Sequence, residues 1–92
     1  MNTKTIDHKI KNKLGLHARP AAVFVQLASE FKSDIKIEKD GETVDGKSVI
    51  GLLMLAAGFG TDIKIIATGT DAKSAISAIK NLVNHSTEFN EE

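Results

Sequence analysis

Asp34-Ile35-Lys36-Ile37-Glu38-Lys39-Asp40-Gly41-Glu42-Thr43-Val44-Asp45 is where the sequence declares its architecture. From Asp34 to Glu38 apolar and polar residues alternate, the period of a strand with one buried face. Asp40-Gly41 is a dipeptide suited to two consecutive residues at positive φ, so it predicts a tight hairpin turn into a second strand over Glu42–Asp45. A hairpin with isoleucines on one face only needs a layer of helices against that face. The flanking sequence supplies both helices and further strands.

Upstream, Thr5 to Ile10 alternates and puts Ile6, His8 and Ile10 on one strand face. Gly15 ends that pattern. From Ala18 to Phe31 the period becomes helical, with Ala21, Phe24, Val25 and Ala28 on one stripe. Pro20 belongs in the first turn, where its missing N–H has no helical partner to lose. Downstream, Ser48 to Ala56 reads as a short helix with Ser48 as N-cap. Leu52, Leu55 and Ala56 form one of its faces, and Val49, Ile50 and Leu53 another. Gly60-Thr61-Asp62 and Gly69-Thr70-Asp71 are the same tripeptide. Ile63, Ile65 and Ile66 after the first favour a strand over Asp62–Thr68, whereas Ala72, Ala75 and Ala78 after the second favour a helix. That helix carries Ile76, Ile79, Leu82 and Val83, with Thr70 or Asp71 at its cap. The tail from Ser86 to Glu92 is polar and is expected to fray. The order is β-α-β-β-α-β-α: an α+β fold, a four-stranded, mostly antiparallel sheet with three helices on one face, in one domain over residues 1–92.

Composition excludes several functions. Twelve Lys and Arg against twelve Asp and Glu leave no formal net charge, which argues against a nucleic-acid binder dependent on phosphate neutralisation. With neither Trp nor Tyr and only four Phe, a base-stacking platform is not expected. There is no Cys, hence no disulfide or thiolate metal site. Its three histidines match no zinc spacing. The longest apolar stretch, Val49 to Phe59, is too short to span a bilayer, and no signal-peptide pattern opens the chain. Asp45-Gly46-Lys47-Ser48 carries only the end of a nucleotide-binding loop motif and lacks its glycines. The expectation is a cytoplasmic monomer with no metal and no cofactor.

Chemistry concentrates in Lys13-Leu14-Gly15-Leu16-His17-Ala18-Arg19-Pro20-Ala21-Ala22. A histidine precedes a first helical turn, and a guanidinium follows two residues later. Free N–H groups and the positive end of the helix dipole favour an anion there. A neutral imidazole at that point can attack phosphorus, with Arg19 and the N–H groups receiving the phosphoryl oxygens. On spacing alone the alternative stands beside it: His17 as a weak helix cap and Arg19 as a solvated charge. An arginine in a first turn opposes the dipole unless an anion visits, which favours the functional reading. His8 reads as a packed histidine, and His85 as a cation near a helix C-terminus. Val49, Ile50 and Leu53 read either as core or as an exposed docking patch.

Gly15-Leu16-His17-Ala18-Arg19-Pro20-Ala21 resembles the HPr family, the histidine-containing phosphocarriers of the sugar phosphotransferase system. The likeness continues through Ser33-Asp34-Ile35, Gly46-Lys47-Ser48-Val49-Ile50-Gly51-Leu52 and the segment from Gly60 to Val83, covering about residues 4 to 85. It implies an open-faced sandwich of four antiparallel strands and three helices. It also implies that His17 accepts a phosphoryl group at Nδ1 from phosphorylated enzyme I and passes it to enzyme IIA domains, with Arg19 contacting the group. Gly15, Ala18 and Pro20 are implied as supporting residues, and Ala22, Val49, Ile50 and Leu53 as the partner surface. Ser48 matches the position modified by HPr kinase/phosphorylase. Asn12-Lys13-Leu14-Gly15, Leu52-Leu53-Met54-Leu55 and the Phe89-Asn90-Glu91-Glu92 ending resemble a nitrogen-related branch of the family, whereas Gly46-Lys47 before Ser48 resembles the kinase-regulated carriers.

Overall fold

The computed structural model describes residues 2–90. Its elements run β1 (Thr3–Lys9), α1 (Ala18–Ala28), β2 (Asp34–Lys39), β3 (Glu42–Asp45), α2 (Val49–Leu55), β4 (Asp62–Thr68), α3 (Ala72–His85) and α4 (Thr87–Asn90). The four strands form one antiparallel sheet in the order β1-β4-β2-β3. The expected α+β order is present, with three main helices and one further short one.

The hairpin forms as the dipeptide requires. Asp40 and Gly41 have φ of 52° and 83°, and Lys39 pairs with Glu42 across them. Two successive positive φ values match the right-handed twist of the flanking strands. Register then aligns the apolar residues. Ile65 of β4 lies between Ile6 of β1 and Ile37 of β2, and Ala67 pairs with Ile35. Ile35, Ile37, Ile63, Ile65 and Ala67 are buried under the helices. The other sheet face is polar, and its Lys9–Asp62 ion pair (3.0 Å) is exposed at both ends, so it stabilises little.

The helical stripes pack as their periods require. Pro20, Ala21, Phe24 and Ala28 of α1 are buried, as are Ala72, Ala75, Ile76, Ile79 and Val83 of α3. The first helix ends at Ala28, short of Phe31. There the chain tightens, with Glu30 N–H donating to the Leu27 carbonyl and Phe31 N–H to that of Ala28. Asp71 is the N-cap of α3, but its carboxylate does not cap that helix. It accepts instead from the Lys32 and Ser33 N–H groups (2.8 and 2.9 Å) and from the Ser33 hydroxyl. Those bonds, led by the Ser33 hydroxyl, hold its pKa below the ordinary aspartate value and fasten the α1–β2 loop to the start of α3.

Two expectations need correction. The tail does not fray as far as it is described: Thr87–Asn90 form α4, and Phe89 is 1% exposed. Its ring enters the core, and Asn90 Nδ2 donates to the carbonyls of Val83, in the last turn of α3, and of Ser86, its C-cap (3.1 and 2.8 Å). One aromatic residue outweighs the polarity of its neighbours. Glu91 and Glu92 lie outside the described residues. Ala56, expected on one helical face with Leu52 and Leu55, parts from them and is exposed because it turns left-handed (φ 55°) and ends the helix. Ala57 then takes the buried place.

Candidate functional site

The loop from Ile10 to His17 is fixed by backbone geometry before any side chain acts. Gly15 has φ +70°, and a Cβ there would lie 2.6 Å from the Ala57 carbonyl oxygen and 2.8 Å from Gly58 Cα. Glycine is required on both counts. Its close approach lets Leu16 N–H donate to that same Ala57 carbonyl (2.8 Å), tying the loop to the chain just beyond α2. Gly15 N–H closes a turn onto the Asn12 carbonyl (3.1 Å), and His17 N–H donates to the Gly15 carbonyl (2.9 Å).

His17 is the N-cap of α1, with extended backbone (φ −97°, ψ −168°), and its carbonyl accepts from Ala21 N–H (3.0 Å). Its imidazole makes no capping hydrogen bond. The ring is half-buried, and Ala18 and Arg19 are exposed while Pro20 is buried. Pro20 removes one of the N–H groups that a helix start leaves unpaired. The Ala18 and Arg19 N–H groups remain, and neither has a backbone acceptor. The first turn holds no acidic residue, and no described side chain pairs with the Arg19 guanidinium. An uncapped imidazole, two free donors, a helix dipole and an unpaired guanidinium therefore stand within three residues. Their sum is an uncompensated positive corner that an anion would neutralise.

The expected docking residues divide. Ala22 is on the exposed side of α1. Ile50 (70% exposed), Leu53 and Met54 project to solvent from α2, whereas Leu52 and Leu55 are buried. Val49 departs from the patch reading: it is half-buried and packs against the core. Leu14 and Phe59 add two exposed apolar side chains beside the Gly15 contact with residues 57 and 58. Met54, Leu14 and Phe59 were not anticipated; a complete listing of apolar residues outside the two helical stripes would have raised them.

Ser48 caps α2, its hydroxyl accepting from Gly51 N–H (3.0 Å). Lys47 beside it reaches the Phe31 carbonyl (2.7 Å). At the other end, Lys39 Nζ donates to the Leu55 carbonyl (3.1 Å), compensating the negative end of the helix. Ser48 is thus not gathered to His17. It stands at the opposite end of α2 from the residues tied to the His17 loop, about 10 Å along the axis at 1.5 Å per residue. His8 is also separate, buried in the core with its ring edge-on to Phe89 (centroids 6.3 Å apart). Burial first, and the nearby Lys11 charge second, hold its pKa below the ordinary histidine value. Among the described residues no cluster of three or more His, Asp or Glu side chains is arranged to hold a metal ion. Among them, too, no helix is long and apolar enough to cross a membrane.

Asn12, which sequence reasoning did not single out for the site, lies under the loop that leads to His17. It is 2% exposed and donates through Nδ2 to the Gly15 carbonyl (2.6 Å). The available signal was an asparagine three residues before a glycine, the first position of a turn.

Fold and site together define a small α+β scaffold that presents one histidine and an anion cradle at its surface. A family model described as the PTS HPr component phosphorylation site matches residues 4–85. The chain belongs to the HPr family, phosphocarriers of the phosphotransferase system, which shuttle a group stoichiometrically and are not catalytic enzymes. It is 47% identical over 76 residues to the phosphocarrier protein HPr of Neisseria meningitidis, covering 83% of this chain and 85% of that one. It is 51% identical over 71 residues to the HPr-like protein Crh of Halalkalibacterium halodurans, covering 77% and 84%. The crystal structure of HPr from Thermoanaerobacter tengcongensis superposes with a TM-score of 0.87 at 46% identity, covering 97% of this chain and 98% of the other. The relatives thus divide between HPr and HPr-like Crh proteins.

Proposed function

We propose that His17 accepts a phosphoryl group from phosphorylated enzyme I and passes it to enzyme IIA domains. The observation that carries this reading is the uncompensated cradle: an uncapped imidazole beside the free Ala18 and Arg19 N–H groups and the unpaired Arg19 guanidinium. A neutral ring nitrogen (Nδ1, as the family resemblance implies) attacks phosphorus in line while the bond from phosphorus to the donor breaks. The ring proton on the other nitrogen is retained, and the three phosphoryl oxygens meet the donors at the helix start. Because those donors sit at the surface, they stabilise charge during transfer yet leave the group accessible to the next protein.

The test is incubation with phosphoenolpyruvate, magnesium and enzyme I. One acid-labile phosphoryl group is expected on wild type and none on His17→Ala; undiminished labelling of the variant refutes the assignment. Transfer from the labelled protein to sugar-type and nitrogen-type IIA domains then separates the two branches.

Exposed Ile50, Leu53 and Met54 support a second reading, a non-phosphorylated regulatory module that binds partners through α2 with His17 as a helix cap; modification of Ser48 by HPr kinase/phosphorylase is a separate proposal. Under it, Arg19→Ala leaves function intact and Leu53→Asp abolishes partner binding. Incubation with ATP and the kinase labels Ser48 if that modification occurs, and an unlabelled Ser48 removes it.

A further inference from the structure

We infer that Asn12 is the positioning residue for the acceptor histidine. This rests on the proposed role of His17. The Asn12 side chain is buried, yet only half of it is satisfied: Nδ2 donates to the Gly15 carbonyl at 2.6 Å, and Oδ1 has no partner. A carbonyl can only accept, so the amide nitrogen must face Gly15. The polar side chain is thus buried with one directed bond, and that bond ends on the loop that leads into His17.

The role follows from what the Gly15 carbonyl does. The same oxygen accepts His17 N–H at 2.9 Å, so Asn12 and His17 are joined through one atom. The Asn12 main-chain carbonyl holds Gly15 N–H as well. Asn12 therefore grips Gly15 from both sides, while the Ala57 carbonyl holds the same Gly15–Leu16 peptide at its other edge through Leu16 N–H. These bonds set the plane of the peptide preceding Leu16 and, through it, the entry direction of His17 into α1. The Asn12 donor also engages a carbonyl dipole close to the cradle, which would otherwise repel an incoming phosphoryl group. Gly15 supplies the permitted geometry, and Asn12 selects one orientation within it.

The experiment uses the full chain and phosphoramidate, a small donor that needs no partner surface. Its P–N bond breaks to release ammonia as the bond from phosphorus to the His17 nitrogen forms. Asn12→Asp keeps the side-chain shape, but its carboxyl donates to the Gly15 carbonyl only while protonated. Rates are measured from about pH 3 to about pH 8, spanning the ordinary carboxyl (about 3.9) and imidazole (about 6.5) titrations. Each is divided by the fraction of neutral His17 from that protein's own NMR titration and by its folded fraction. The variant-to-wild-type ratio is expected to be about 0.1 or less at the alkaline end, as small misplacements cost up to about a hundredfold, and to rise as the carboxyl protonates. Asn12→Ala is expected to give a low ratio that does not change with pH. A ratio near one for either variant, or an Asn12→Asp ratio that ignores pH, overturns the inference. A purely structural role lowers the folded fraction alone and gives those overturning results. Wild type that takes no phosphoryl group from either enzyme I or phosphoramidate removes the acceptor reading itself, an outcome distinct from a failure of Asn12.

Discussion

Phe89→Ala tests whether α4 is an integral part of the fold. Removing about 150 Å² of buried apolar area at about 25 cal/mol per Å² forfeits about 4 kcal/mol. Two Asn90 hydrogen bonds add about 1 kcal/mol each to docking. Against this, a segment of four residues that lets go regains about 1 kcal/mol of backbone entropy per residue, about 4 kcal/mol altogether. Docking is therefore worth about 2 kcal/mol net, and without its ring the segment undocks. Phe24 is equally buried but sits within α1 and cannot be released, so Phe24→Ala should cost the usual 3–5 kcal/mol or so. Urea unfolding of both variants measures the contrast. NMR titration adds an independent reading, because undocking uncovers His8 and returns its pKa toward the ordinary 6.5. Unchanged stability, a loss as large as that of Phe24→Ala, or a His8 titration that stays depressed would each refute the reasoning.

Further outcomes follow from individual contacts. Unfolded, His8 titrates near 6.5, and folded it titrates lower, so the unfolded chain binds the extra proton between those values. Its contribution to stability is full above about pH 6.5 and declines as pH falls toward the folded value; in urea midpoints taken across that range, His8→Leu should flatten this part of the profile. Gly15→Ala forces both a positive φ and a Cβ against the Ala57 carbonyl, so a loss of about 1–3 kcal/mol is expected together with slower phosphorylation of His17. Wild-type thermal stability in that variant would refute the contact. Ser48→Ala removes the acceptor for Gly51 N–H and should cost about 1 kcal/mol in urea unfolding, with no effect on His17 labelling by phosphoramidate. A matching loss of labelling would show that α2 capping and the acceptor loop are coupled.

The strands, the helices and the loop that leads into His17 were legible because each is a local pattern. Alternation found the strands, Asp40-Gly41 found the turn, and the run from Gly15 to Pro20 marked the anion corner. What escaped depends on contacts between distant parts of the chain. Phe89 sits in a polar tail, so no period marks it as core; only its contacts with distant residues such as His8 make it so. Asp71 has the composition of a cap but faces the Lys32–Ser33 loop, a choice that sequence spacing does not encode. Val49 and Ile50 are adjacent and equally apolar, yet one packs inward and the other outward. The strand order was likewise open, since element order alone does not determine which strand takes the centre.

That strand order bears on how the protein is made. β4, the last strand among the described residues, takes the interior position between β1 and β2, and β1 pairs with it alone. While the chain emerges from the ribosome, the first strand has no edge to join until residue 68 has been synthesised. Only the β2–β3 hairpin and the early helices can form before then. The Leu16 anchor at Ala57 arrives late for the same reason. Contacts so far apart in sequence slow folding, because the chain loop must close before pairing compensates for it. A nascent chain arrested before β4 thus carries His17 without the sheet that holds it in place.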